Sequence, residues 1–177
     1  MTKKLLFSIL CCFSLVVSAQ TESNLVKDEV LKNQFPNYQG VIQADGKSSD
    51  AIYSTLKSWV ATTYNSANDV IQLDDKENGK LIVKALSSFV YKVMGANIGG
   101  KCFYTLTIDT KDNRFRYTIN VTEVEVGTKN QSAYKMLIEK PDKGQSKDIL
   151  KEIESIKNDL IQRMKAAATQ DSSEDSW

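Results

Sequence analysis

Residues Gly95–Cys102 read GANIGGKC, the G-x-x-x-x-G-K spacing of a phosphate-binding loop. In such a loop backbone amides close on the phosphates, the lysine reaches them, and a following Ser or Thr holds magnesium. Here Cys102 stands in the Ser/Thr position. The loop must also follow a strand and open a helix, so that amides at the helix start face the anion. Phe89 to Val93 fits the upstream strand. Downstream, Cys102-Phe103-Tyr104-Thr105-Leu106-Thr107-Ile108 alternates with period two and is rich in β-branched and aromatic residues, which argues strand. The motif is therefore read as a flexible connection between the third and fourth strands, with Gly95, Gly99 and Gly100 permitting unusual backbone angles. No nucleotide is expected.

The dense carboxylates are Asp74, Asp75 and Glu77, in the stretch Asp74–Gly79 that ends in Asn-Gly. Aligned to a calcium loop, Asp74, Asn78 and Gly79 fall at positions one, five and six. Lys76 then occupies position three and Ala85 replaces the bidentate Glu of position twelve, so a hairpin turn is the better reading. The chain has no histidine, which excludes Ser-His-Asp and Cys-His catalysis and any histidine-bearing metal site. No catalytic, cofactor-binding or metal-binding residue is assigned, no cofactor is expected, and the chain is read as a non-enzyme.

The chain has 177 residues, with 23 Lys and Arg against 22 Asp and Glu. Residues 1–19, MTKKLLFSILCCFSLVVSA, combine Lys3 and Lys4, the apolar run Leu5–Val17, and small residues at Val17-Ser18-Ala19 before Gln20. This is the pattern of a secretory signal peptide, and the run of 13 residues is short of the roughly 20 a spanning helix needs. The expected protein is exported, periplasmic or secreted, with no transmembrane segment after cleavage. Losing Lys3 and Lys4 leaves 21 bases against 22 acids, a net charge near −1 that gives no reason to expect nucleic acid. Cys11 and Cys12 leave with the leader, because Leu10 before Cys11 does not fit a lipoprotein signal. Cys102 remains, read as a buried strand residue.

The elements that would position these residues follow from periodicity. Residues 20–37 are a tether or short helix. Tyr38–Ala44 reads as a strand. Ser48 offers a helix cap, followed by Ile52, Leu56, Trp59, Val60 and Thr63 at helical spacing, with Trp59 expected in the core. Val70–Leu73 and Lys80–Ala85 are strands, the latter continuing through Phe89, Tyr91 and Val93. Further strands carry Tyr104, Leu106 and Ile108, then Phe115, Tyr117, Ile119 and Val121. The apolar phase then jumps to Val124 and Val126, which predicts a bulge or strand break near Thr122–Glu123. Residues 128–144 are loop-like, with an apolar patch at Tyr134, Met136, Leu137 and Ile138. Ile149, Leu150, Ile153, Ile156, Leu160, Ile161 and Met164 mark an amphipathic helix, and 169–177 is an acidic, serine-rich tail.

The order β-α-β-β-β-β-α predicts an α+β two-layer domain, in which an antiparallel sheet of about five strands carries both helices on one face. The opposite face would show Gln72, Asp74, Lys80, Lys84, Thr105, Thr107, Asp109, Arg114, Arg116, Thr118 and Asn120, with Ile82 and Phe103 as its only large apolar members.

The run Val41–Ala85, VIQADGKSSDAIYSTLKSWVATTYNSANDVIQLDDKENGKLIVKA, resembles the domain of unknown function 4468 family of exported proteins from Bacteroides-type bacteria. The resemblance lies in Tyr53, Trp59 and Tyr64 on the helix, in Asn68-Asp69-Val70-Ile71, and in the Asp-rich turn before Gly79. It implies a TBP-like fold over 38–127, followed by a C-terminal extension 128–168, and it implies no activity or catalytic residue. DNA binding is not expected despite the fold's name, because a minor-groove binder needs a basic face with several apolar wedges. The function expected is a binding or envelope-associated module with a protein or small-ligand partner on the open face around Thr105, Arg116, Thr118 and Asn120. The alternatives are an assembly module acting through the C-terminal helix and a carboxylate-based hydrolase.

Overall fold

In the computed structural model, the described residues are 35–64, 66–127, 131–133, 137 and 144–170. The leader, most of the tether, the tail beyond Gln170, and Tyr134, Met136 and Ile138 lie outside them. Along the chain run β1 (Asn37–Gln43), α1 (Ser49–Thr63), α2 (Ala67–Val70), β2 (Ile71–Asp75), β3 (Lys80–Val93), β4 (Ala96–Lys111), β5 (Arg114–Val126), β6 (Gln131–Ser132) and α3 (Gln145–Thr169).

Period-two alternation sets the sheet. Strands β2 to β5 form an antiparallel meander, β1 adds beside β5, and the order is β1-β5-β4-β3-β2 with β6 on the far end of β5. Leu81, Val83, Phe89 and Tyr91 of β3 are buried with Cys102, Tyr104, Leu106 and Ile108 of β4 and with Phe115, Ile119, Val121 and Val124 of β5. The helices cover that face. Helix α1 starts where Ser48 accepts a hydrogen bond from the Ala51 N–H at 3.3 Å, and it buries Ile52, Tyr53, Leu56 and Val60. Helix α3 buries Ile149, Ile153, Leu160 and Met164, as its spacing predicts, and Ala168 extends the stripe. Each such side chain contributes on the order of 2 kcal/mol by leaving water.

Trp59 is not in the core. It lies at the flank of the α1 stripe, half-buried, with its ring edge-on to Tyr64 at 6.4 Å, and Tyr53 takes the buried position instead.

The expected bulge is present. Phe103 pairs with Glu123 and Tyr104 with Val121, so Thr122 is the extra residue that keeps both Val121 and Val124 on the covered face. A second bulge was not expected. Ile71 pairs with Val83 and Leu73 with Ile82, leaving Gln72 extra. Asp74 is thereby moved opposite Leu81, onto the helix side, and does not lie on the open face as its sequence phase predicts. Leu73 takes an open-face place beside Ile82.

The connection between β3 and β4 is shorter than the glycine motif suggests. Val93 pairs with Ala96, and Met94 and Gly95, with φ of 50° and 85°, form the two-residue turn between them. Ile98 to Cys102 is regular strand, not flexible loop. Of the three glycines only Gly95 needs positive φ. Gly100 faces Phe89 across the ladder, and a Cβ there would fall 2.3 Å from the ring's Cζ.

Candidate functional site

The phosphate-loop reading fails locally. No helix follows Lys101, because β4 continues to Lys111. The Lys101 ammonium lies 3.8 Å from Oε2 of Glu125, its partner across the ladder, and that oxygen accepts no hydrogen bond. Cys102 points into the core, where burial pushes its thiol up to about 12, far from a reactive thiolate.

The carboxylates are not brought together. Asp74 accepts hydrogen bonds from the Tyr53 hydroxyl and the Lys57 ammonium, both at 2.5 Å, and so ties β2 to α1. Asp75 faces into its own turn and accepts from the backbone and side-chain nitrogens of Asn78 at 3.1 and 2.9 Å. Glu77 is exposed. Among the described residues no group of three or more acidic or cysteine side chains could hold a metal ion.

The bonds from Lys57, and then from Tyr53, hold the Asp74 carboxyl below its ordinary range. A depressed carboxyl stabilises the fold above its unfolded pKa, and that contribution is lost as pH falls through the folded value. Acid titration of wild type should therefore show a loss of stability below about pH 4 that Asp74→Asn lacks. An equal fall in unfolding free energy between pH 5 and pH 3 for the two proteins in urea melts would refute the assignment.

The open face has two halves. Around β4 and β5, Thr105 stands opposite Asn120, Thr107 opposite Thr118, and Asp109 opposite Arg116. The named polar residues are thus neighbours, but two are already engaged. Arg116 donates twice to one Asp109 oxygen, at 2.9 and 3.2 Å, and Thr118 accepts from Gln39 at 3.2 Å. Around β3 the face is more apolar than the sequence reading allowed. Leu73, Leu86 and Val90 are exposed, and Leu86 pairs with Phe103. The signal was present in Lys84-Ala85-Leu86-Ser87-Ser88-Phe89-Val90, where both strand phases carry apolar residues.

A groove of about 680 Å³ lies beside this apolar half. The end of α1, the segment to α2 and α2 itself supply Thr63, Tyr64, Ser66 and Asp69, and Lys84, Leu86, Phe103, Thr105 and Thr122 line the sheet side. Tyr64 and Tyr104 share a hydrogen bond at 2.9 Å, and Ser87 reaches Tyr104 at 3.3 Å. Burial raises both phenols above their ordinary value, so this hydroxyl chain stays neutral at physiological pH.

With this meander, the added β1 and one helical layer established, the family model described as a domain of unknown function with TBP-like fold (DUF4468) matches residues 38–124. Over these residues the chain belongs to the DUF4468 family. The DUF4468 domain is structurally similar to a DUF4468 family protein from Bacteroides ovatus, with a TM-score of 0.59 at 14% identity, covering 78% of this chain and 89% of that one. A TBP-like protein from Parabacteroides distasonis is also similar, with a TM-score of 0.50 at 14% identity over 75% and 94% of the two chains. At that identity the likeness concerns the fold. No curated protein matches the chain. The DUF4468 assignment names a family of unknown function, so it gives these residues no role.

Proposed function

We propose that the chain is an exported, non-catalytic binding module of the cell envelope, working through the helix-free face of its sheet. The observation that carries this reading is the exposed apolar row of Leu86 and Val90 beside a groove of about 680 Å³. Exposed apolar side chains next to a concavity mark contact surfaces more often than solvated sheet does. The leader at residues 1–19 supports export, and the lack of histidine supports a non-catalytic role. Recognition shifts from the polar residues around Arg116 to the β3 half, because Arg116 and Thr118 are held by partners of their own. Helix α3 buries its apolar stripe against this chain's own sheet and α1, which favours the sheet face over the helix as the contact surface among the described residues.

Two results test this. The protein recovered from the envelope or medium of an expressing Bacteroides-type cell should have an intact mass beginning at Gln20; a mass that includes residues 1–19 would remove export by cleavage. Immobilised wild type should retain from the envelope fraction a species that Leu86→Lys, checked for an unchanged melting temperature, retains at least about tenfold less, as expected when a contact at the centre of an interface is lost. Equal retention by the two proteins would overturn the face.

A further inference from the structure

Strand β2 has 5 residues and β3 has 14, and their pairing stops at Ile71 with Val83. From Lys84 to Val93, β3 has β4 on one side and, among the described residues, no strand on the other. A long strand edge of this kind leaves backbone donors and acceptors pointing outward and is a template for another chain. Exposed edges are usually short, guarded by charged residues such as lysine, or broken by proline or a bulge. Here the segment KALSSFVYKV has no proline, and its pairing with β4 is regular throughout.

The side chains along this edge form an ordered row. Lys84, Leu86, Ser88, Val90 and Lys92 alternate onto the open face and all are exposed, Leu86 at 46% and Val90 at 56%. Neither lysine makes an ion pair among the described residues. They stand about 27 Å apart by strand rise. A cleft lies at each end. The groove described above touches Lys84 and Leu86, and a second cleft of about 330 Å³ lies between Val90, Lys92 and Asn97 on the hairpin and Asp148, Lys151 and Glu152 on α3.

We propose that the edge of β3 from Lys84 to Val93 docks an extended peptide of a partner protein as an added antiparallel strand, with apolar side chains opposite Leu86 and Val90 and acidic ones opposite Lys84 and Lys92. The proposal rests on the binding-module reading and names the partner class. Charge selects this occupant over a second copy of the chain. Two copies paired antiparallel about Ser88 place Lys84 of one opposite Lys92 of the other at both ends, and like charges directly opposite destabilise a ladder. Acidic residues at those positions reverse the sign. Asp148 and Glu152 border the second cleft, where Lys151 and Lys92 set two bases against these two acids.

The probe is a blocked synthetic peptide, TETVTSTVTET, with TKTVTSTVTKT as its basic counterpart. Fluorescence anisotropy with the purified protein should give saturable binding of the acidic peptide with a Kd below about 1 mM. The basic peptide should bind about tenfold more weakly, the combined size of two cross-strand charge pairs changing sign. The variant K84E/K92E should invert that preference, which separates docking from loss of folding. Amide exchange from Lys84 to Val93 should slow when the acidic peptide is added. No saturable binding of either peptide, or a preference that K84E/K92E leaves unchanged, overturns the proposal. So does a wild-type dimer whose β3 amides are protected without peptide, which gives the edge to a second copy. If K84E/K92E still retains the envelope species that Leu86→Lys loses, and the peptide does not bind, the edge fails while the binding module stands. If the peptide binds and the envelope fraction yields nothing that Leu86→Lys loses, the edge stands and the envelope role fails.

Discussion

Phe115→Ala is expected to destabilise the protein by about 3–5 kcal/mol, the largest effect of any single truncation considered, with the melting temperature falling by about 10–20 °C. Phe115 has no exposed surface and lies on the helix-covered face of β5, with Ile42 of β1 and Thr110 of β4 as its ladder neighbours. Removing the ring loses its transfer energy and leaves a void that strands held from both sides cannot close. The next residue supplies the contrast. Arg116→Ala deletes two hydrogen bonds to Asp109, but the Arg116 side chain is 54% exposed and the pair is screened by water. Its cost should stay below about 1 kcal/mol. Urea melts of the two variants test the inside–outside assignment of β5, and comparable losses would contradict it.

Gly100→Val should cost about 2–3 kcal/mol, whereas Gly99→Ala should be neutral or slightly stabilising. The reason is the opposite strand. A Cβ at Gly100 would meet Cζ and Cε2 of Phe89 at 2.3 and 2.5 Å, and that ring is only 6% exposed and packed beside Tyr91 at 6.1 Å. At Gly99 a Cβ meets nothing within 4 Å, and its φ is not positive. Because the penalty arises from one ring, it should shrink in a Phe89→Ala background, with a coupling of about 1–2 kcal/mol. Equal effects at the two glycines in thermal melts would show that the pair serves backbone freedom, as the motif first suggested.

The strands were legible because one face of each is buried and the period is two, so Tyr104 to Ile108 and Phe115 to Val121 announce their faces. The Thr122 bulge was legible for the same reason, since a phase jump between Val121 and Val124 needs an extra residue. The Gln72 bulge was not. Strand β2 is too short for a phase to be established before it shifts, and only pairing with β3 reveals that Asp74 faces Tyr53 and Lys57. The candidate site was harder still. Leu86 and Val90 share the even phase of Lys84, but the reading followed the odd phase through Phe89 and Tyr91 and gave the open face only Ile82 and Phe103 as large apolar members, because a strand apolar on both faces mutes the alternation. The part of the β3 edge that no described strand pairs depends on how far β2 extends, which is a property of pairing and not of β3's own residues.

The placement of β1 also orders the events of assembly. The ladders from β2 to β5 join neighbours through short turns, such as Met94-Gly95, and can zip locally. The β1 ladder instead joins Gln39 to Thr118 across 79 residues, so it must wait for the longest closure in the sheet. A nascent chain therefore emerges with its first strand unable to pair until Arg114–Asn120 has been made. During synthesis the segment 37–43 is made ahead of β5, its ladder partner among the described residues, which keeps the domain from closing before most of it has been made.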